Sequence, residues 1–251
     1  MSTFAIGDIH GNERALVDLL EQLRPNIDTH DTVVFLGDYI DRGPCSKQCI
    51  QRILEFRETC AGTVVALLGN HEHSMLQTYH SFSEHSWLIA MDAWPTIKSY
   101  SQDAARLLRD EAKRAAGRLY STGYHMPYEL FFNTMPTGHL QFLQDLKPYH
   151  HTPDALCVHA GIDPRYGPVD SQTTMMLWGS YRFVDDYHGP ELIVYGHYGN
   201  ASLDGAGWPQ PVIKEHSIGV DTIKHGVLTA VQLPGRHVFQ SARYDATTAE
   251  A

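Results

Sequence analysis

The stretch Thr3-Phe4-Ala5-Ile6-Gly7-Asp8-Ile9-His10-Gly11 decides how this chain is read: a short apolar run, a glycine, then an aspartate and a histidine two positions apart. A run that does not alternate with polar residues reads as a strand buried on both faces. The same pattern returns twice. Residues 32–36 lead into Gly37-Asp38-Tyr39-Ile40-Asp41-Arg42-Gly43, and residues 63–68 lead into Gly69-Asn70-His71-Glu72. Between these runs, residues 12–24 place Leu16, Leu19, Leu20 and Leu23 on one helical stripe before Pro25. Residues 46–60 do the same with Ile50, Ile53, Leu54 and Phe56. Strand, helix, strand, helix, strand predicts parallel strands joined by right-handed crossovers. Ligands of such sheets collect beyond the carboxyl ends of the strands, where all three polar clusters fall.

Further strands are expected at residues 155–158, 192–195, 217–220, 226–233 and 237–240, the last two as a hairpin across Pro234-Gly235. Two of these end in chemistry as well, at Val158-His159-Ala160-Gly161 and Tyr195-Gly196-His197. Helices on both faces of two packed sheets would bury all of the runs. Residues 80–135 interrupt the alternation with a helical stretch bearing Trp87, Trp94, Tyr100, Tyr120 and Tyr124, read as a cap inserted into one domain spanning residues 1–251. Its Arg106, Arg109 and Lys113 share a helix face, balanced by Asp103, Asp110 and Glu111, so a solvated face is expected rather than an anion-binding strip. Its aromatics are expected in the core rather than as a base-stacking platform. Residues 246–251 read as a frayed tail.

With 251 residues, 43% hydrophobic and 19% charged, the chain has the composition of a globular domain with a sizeable core. No apolar run approaches the roughly 20 residues a membrane-spanning helix needs. The start lacks a basic segment followed by a signal-type apolar stretch, so a cytoplasmic protein is expected. Cys45, Cys49, Cys60 and Cys157 are expected as reduced, packed thiols, since a chain with its own core has little need of disulfides. A net charge of -10 excludes general nucleic-acid binding, which depends on Lys and Arg at the phosphates. Any phosphate affinity must be local. No heptad pattern marks an interface, and a monomer is the default.

Strand side chains repeat every second residue, so Asp8 and His10 can face one ion as their strand ends. Asp38 can lie between two ions as a shared carboxylate, and Asn70, His159 and His197 would complete the second, a mixed oxygen and imidazole set suited to divalent metals. Two ions ~3.5–4 Å apart polarise a phosphoryl oxygen and acidify a bridging water for in-line attack on phosphorus. The leaving oxygen still needs a proton, and His71 is the natural general acid, with Asp41 orienting its ring. Arg42 offers a planar fork for phosphate oxygens. Any one of these clusters alone would be weak, because Gly-Asp turns and core histidines are common. Of 16 histidines, only His10, His71, His159 and His197 are assigned chemistry.

Through GDIHG, GDYIDRG, GNHE, HAG and YGH in this order, residues 7 to about 222 resemble the phosphoprotein phosphatase superfamily of metallophosphoesterases. The likeness is to its compact bacterial and phage-type members, which include serine/threonine phosphatases and symmetrical diadenosine tetraphosphatases. The resemblance implies an α/β fold, a calcineurin-like β-sandwich flanked by helices, and two divalent metals, often manganese, with iron or zinc acceptable to the same ligands. The family's ligand roles fall on Asp8, His10, Asp38, Asn70, His159 and His197, its acid pair on His71 and Asp41, and its first phosphate arginine on Arg42. Compact members often carry a second arginine two residues after the tryptophan of a Leu-Trp pair. Here Ser180 holds that place, leaving Arg182 as the stand-in. Asp221, in Gly219-Val220-Asp221-Thr222, is expected to support the ligands. The leading expectation is a protein serine/threonine phosphatase extending to phosphotyrosine. The runner-up is a symmetrical dinucleoside polyphosphate hydrolase, and a non-catalytic metal-binding scaffold ranks last.

Overall fold

A computed structural model describes residues 1–121, 123–165, 172–180 and 182–245; the expected tail at 246–251 lies outside them. The predicted alternation is present as β1 (Thr3–Ile6), α1 (Glu13–Leu23), β2 (Thr32–Phe35), α2 (Ser46–Thr59) and β3 (Thr63–Ala66). The three strands are parallel neighbours in the order β1, β2, β3. Helix α1 starts at Asn12, whose side-chain oxygen accepts the Ala15 N–H and so satisfies one of the unpaired first-turn donors. Next come α3 (Asn70–His80), then the insertion helices α4 (Ser86–Ala90), α5 (Trp94–Tyr100), α6 (Gln102–Ala115) and α7 (Glu129–Phe132). Helix α8 (Thr137–Gln144) returns the chain to β4 (Tyr149–His151) and β5 (Leu156–Val158). Short helices α9 (Thr173–Trp178) and α10 (Phe183–Asp186) precede β6 (Ile193–Tyr195). The remaining strands are β7 (Ser202–Leu203), β8 (Pro209–Gln210), β9 (Val212–Ile213), β10 (Ser217–Gly219) and the antiparallel hairpin β11 (Thr229–Leu233) and β12 (His237–Gln240).

Two five-stranded sheets result, ordered β12-β11-β1-β2-β3 and β4-β5-β6-β10-β9. Between them Ala5, Val34, Leu36, Val65 and Val231 of the first sheet's strands and their extensions share one apolar layer with Cys157, Val194, Ile218 and Val220. The alternate residues of the first sheet, Phe4, Ile6, Val33 and Phe35, pack with Leu16, Leu19, Ile50, Ile53 and Phe56 from α1 and α2. On the far side, Leu156, Val158, Ile193 and Tyr195 meet Met176, Phe183 and Tyr187. Burial on both faces is why the strands show no polar alternation.

Several expected strands are shorter than read. Residues 226–228 are outside β11 because Ile223–His225 forms a single 3-10 turn, closed by Gly226 at φ 74. Leu36 lies past β2, and Leu67 joins only an isolated bridge with Lys147. The edge strands β4, β7, β8 and β9 were not expected, since two or three residues without an apolar run carry no periodic signal.

The insertion packs Trp87, Ile97, Tyr100, Leu108 and Phe131 into the same apolar cluster as Leu16 and Ile50. On α6, Arg106 pairs with Asp103, Lys113 with Asp110 and Arg114 with Glu111, while Arg109 lies over the Trp94 ring, as a solvated face should. His85 and His139 are buried in hydrogen bonds to Tyr128 and Tyr100, in packing roles. All four cysteines are free. No helix among the described residues is long and apolar enough to cross a membrane.

Ile218 is fully buried in the layer between the sheets. Ile218→Ala should lower unfolding free energy by about 2–5 kcal/mol in urea titration, with the slope unchanged. A change within about 0.5 kcal/mol, the range of a surface substitution, would contradict this packing.

Candidate active site

All five polar clusters converge at the carboxyl ends of β1, β2, β5 and β6 and the start of α3. Their backbone is unusual. Among the described residues, eight non-glycine residues have positive φ, and five are His10, Asp38, Asp41, Arg42 and His197, all singled out from sequence. Side chains in this left-handed region cost of order 1–3 kcal/mol each and persist where the surroundings over-determine them.

Glu72 is what holds two of these segments together. Fully buried, its carboxylate accepts the N–H groups of Asp38 (2.9 Å), Tyr39 (2.8 Å), Ile40 (3.2 Å) and Gly69 (3.2 Å). Burial, and then the Asp38 charge, push its carboxyl up to about 8, whereas four converging donors demand the ionised form. At Gly69 and Gly196 the backbone passes so close to the carboxylates of Asp38 and Asp8 that any side chain would collide with them.

Asp38 sits among imidazoles. Its Oδ2 lies 3.5 Å from His10 Nε2 and 3.8 Å from His71 Nε2, and its Oδ1 lies 3.5 Å from His159 Nε2. Burial would raise its pKa, yet the surrounding histidines, His159 foremost, hold it below the usual carboxylate range. Asp8 accepts the His197 N–H at 3.0 and 3.1 Å and lies 3.9 Å from His10 Nε2. Burial, then Asp221 and Asp38, keep the Asp8 pKa raised. Two groups of three ligand atoms, His10–Asp38–His71 and Asp38–His159–His197, share Asp38 at a spacing that could hold a cation each.

Proton positions sharpen this. His10 Nδ1 faces the Ile40 carbonyl at 3.0 Å and His159 Nδ1 faces that of Leu36 at 2.9 Å, so in each neutral ring Nδ1 donates and Nε2 carries a lone pair. Burial drives the His10 pKa down to about 3 and lowers that of His159; for His197, burial and then His159 bring it to about 4. His10 Nε2 is buried without a hydrogen-bond partner. His159 Nε2 and His197 Nδ1 both point at Asn70 Oδ1, at 3.0 and 3.1 Å. With its Nδ1 committed to Leu36, His159 Nε2 meets the Asn70 oxygen acceptor to acceptor, while His197 Nδ1 can donate to that oxygen. Such a set fits a divalent cation.

His71 differs. Its Nδ1 meets Asp41 Oδ2 at 2.8 Å, and Arg42 lies 3.3 Å from Nε2. Burial would lower its pKa, but Asp38 and Asp41 overcome this and raise it to about 9. Asp41 is itself fixed from the insertion, accepting from Thr96 Oγ1 (2.6 Å) and Trp87 Nε1 (3.0 Å). Thr96 and Trp87 were missed as parts of the site, 55 and 46 residues away with no motif linking them to it. Glu72 stood inside the quoted GNHE yet had been given no role. Asp221 accepts the N–H of Gly199 (2.6 Å) and Ile223 (3.3 Å), supporting the loop after His197. Arg182 is not drawn in. Its side chain is 82% exposed and pairs with Asp186 at 2.9 Å.

Known proteins resemble this chain to different extents. The symmetrical bis(5'-nucleosyl)-tetraphosphatase of Pectobacterium carotovorum is 23% identical over 99% of this chain and 97% of its own length. Its Buchnera aphidicola counterpart is 39% identical, over 32% of this chain and only 27% of itself. A zinc-dependent endopolyphosphatase of Saccharomyces cerevisiae is 29% identical over 45% of the chain and 34% of itself. Among solved structures, one provisionally described as a diadenosine tetraphosphatase superposes with a TM-score of 0.61 at 20% identity, covering 97% of this chain and 94% of the other. A cold-active protein-tyrosine phosphatase of a psychrophilic Shewanella gives 0.55 at 17%, covering 95% and 77%. The pattern of the calcineurin-like phosphoesterases matches residues 1–200, four fifths of the sequence, and the chain belongs to that metal-dependent family of hydrolases.

Proposed function

We propose that this chain is a dinuclear metal-dependent phosphohydrolase, acting as a cytoplasmic monomer, whose substrates are dinucleoside polyphosphates cleaved symmetrically. The observation that carries the metal chemistry is the pair of buried imidazoles, His10 and His159, that spend Nδ1–H on backbone carbonyls and turn lone-pair Nε2 atoms toward Asp38 and Asn70. Asp8, His10 and Asp38 would hold one ion, and Asp38, Asn70, His159 and His197 the other. Manganese suits this set, as do iron and zinc. When bound, the two ions supply Lewis acidity at the phosphoryl group and a water acidified for attack.

The chain's own residues do the rest. With Nδ1–H donated to Asp41, His71 presents Nε2 toward the leaving oxygen, and its raised pKa favours carrying a proton there. In the recorded geometry Arg42 donates to that nitrogen, which requires the neutral ring. Proton uptake would therefore release Arg42 to the phosphate oxygens. This exchange couples the loading of the acid to the capture of substrate. The same contacts argue against His71 as a ligand, despite its place in one cation-sized group. A second phosphate contact from Arg182 would first require its pair with Asp186 to open.

The full-length likeness to a symmetrical tetraphosphatase supports the dinucleotide substrate, ahead of the phosphoprotein reading favoured by sequence alone. A cleft of about 520 Å³ lined by His10 and Arg42 supports it too, and one of about 530 Å³ is lined by Trp178, whose ring lies 6.3 Å from that of His197. Both fall in the size range of small-molecule sites. The phosphoprotein reading keeps one observation in its favour, since Arg42 is exposed and within reach of a phosphorylated side chain on another protein.

With added manganese, diadenosine tetraphosphate should yield two ADP with a kcat/KM above that for phosphoserine and phosphotyrosine peptides, and Asp38→Asn should be inactive. The opposite order would make the chain a protein phosphatase. His71→Asn should lower kcat by roughly 10²–10⁴-fold with metal content by mass spectrometry unchanged. An unaltered kcat would remove His71 from the acid role.

A further inference from the structure

The cleft beside Arg42 is cationic although the whole chain carries a net charge of -10. Besides His10 and Arg42, its lining includes Lys224, His225 and Arg243, with Asp245 as its carboxylate. Lys224 sits close to the centre. A side chain built on Gly199, two residues after His197, would lie 3.1 Å from Lys224 Cδ, and the same loop is held by Asp221. Lys224 is exposed. Arg243 is fixed in place: one guanidinium N–H donates to the Gly207 carbonyl at 2.6 Å, and its carbon lies 5.2 Å over the Trp208 ring. His225 Nε2 is buried without a partner, and after burial it is the charges of Lys224 and Arg243 that depress this ring, which marks the three as neighbours.

A phosphomonoester places its charge at the metals and Arg42, and gains nothing from cations farther along. A linear polyphosphate carries negative charge at every phosphorus. We propose that this cleft is a polyphosphate subsite, in which Lys224 and Arg243 bind the phosphates distal to the scissile bond and so select chains over monoesters. The proposal rests on the phosphohydrolase reading above and names the feature that sets its substrate class. A low-dielectric concavity strengthens such contacts relative to open surface, and added salt weakens them. The bound chain could be capped by nucleosides or bare.

Calorimetry of the metal-loaded wild type, Lys224→Gln and Lys224→Glu with inorganic tripolyphosphate and with inorganic phosphate tests it. Lys224 is exposed, so neither variant threatens folding. Tripolyphosphate affinity should fall about tenfold in Lys224→Glu, with Lys224→Gln between, and phosphate affinity should fall much less. Equal losses for both anions, or no loss for either, would overturn the subsite. In kinetics, Lys224→Glu should depress kcat/KM for diadenosine tetraphosphate about tenfold relative to p-nitrophenyl phosphate. Wild-type turnover of diadenosine tetraphosphate against tripolyphosphate distinguishes the capped from the bare chain. A wild type that cleaves p-nitrophenyl phosphate and neither polyphosphate would defeat the substrate reading, while the calorimetric comparison would still judge the cleft.

Discussion

Two of the five segments that meet at the site are held to each other by one buried carboxylate. Glu72 gathers four N–H groups from two loops, the turn after β2 and the entry to α3. Those loops carry Asp38, Asp41 and Arg42 on one side and Asn70 and His71 on the other. Unpaired N–H groups at this depth would each cost ~1–3 kcal/mol, so the carboxylate fixes the spacing between the two segments. It does so from the same helical turn that supplies Asn70 and His71, which ties the proposed ligand and the proposed acid to one rigid element. The strain at Asp38 (φ 53) and Asp41 (φ 68) is tolerated because these bonds leave the turn no other path.

Sequence reading succeeded where burial or chemistry leaves a short-range trace. The junctions at Ile6-Gly7-Asp8, Leu36-Gly37-Asp38 and Leu68-Gly69-Asn70 were legible because doubly buried strands are apolar throughout and stop abruptly in polar residues. The pairing of Asp8 with His10 was legible too, but not for the reason of strand alternation: β1 ends at Ile6 and His10 has φ 45, so the turn brings the two within 3.9 Å. The cis-acting logic ended there. Thr96 follows Trp94-Pro95 at the start of a helix and shows nothing in its neighbourhood to mark it as Asp41's partner; only the folded chain brings them to 2.6 Å. Trp87 was legible as a core residue, and its indole N–H made it something more. Arg182 carries a partner that the pattern did not disclose, an aspartate at helical spacing.

The substrate selection proposed for the cleft would obey a different physics from the metal centre. The centre is built from groups driven toward unusual protonation by burial, and its geometry is dictated by short backbone contacts. The cleft beside it is assembled from exposed cations on a turn near residue 224 and on the segment after β12, both far from any motif. Exposed charges of this kind can be exchanged without disturbing either sheet. The same centre could thus serve different anions by changes confined to its rim.

The two hydrogen bonds that Thr96 and Trp87 make to Asp41 have a thermal consequence. They come from helices outside both sheets, and cooperative units of a protein open at their own free energies. An opening of residues 86–100 that left the sandwich intact would free Asp41 to turn away from His71, stripping the proposed acid of its orientation while the proposed ligand set stayed assembled. Heat could then silence the enzyme well before it melts, and cooling would restore it without refolding the core.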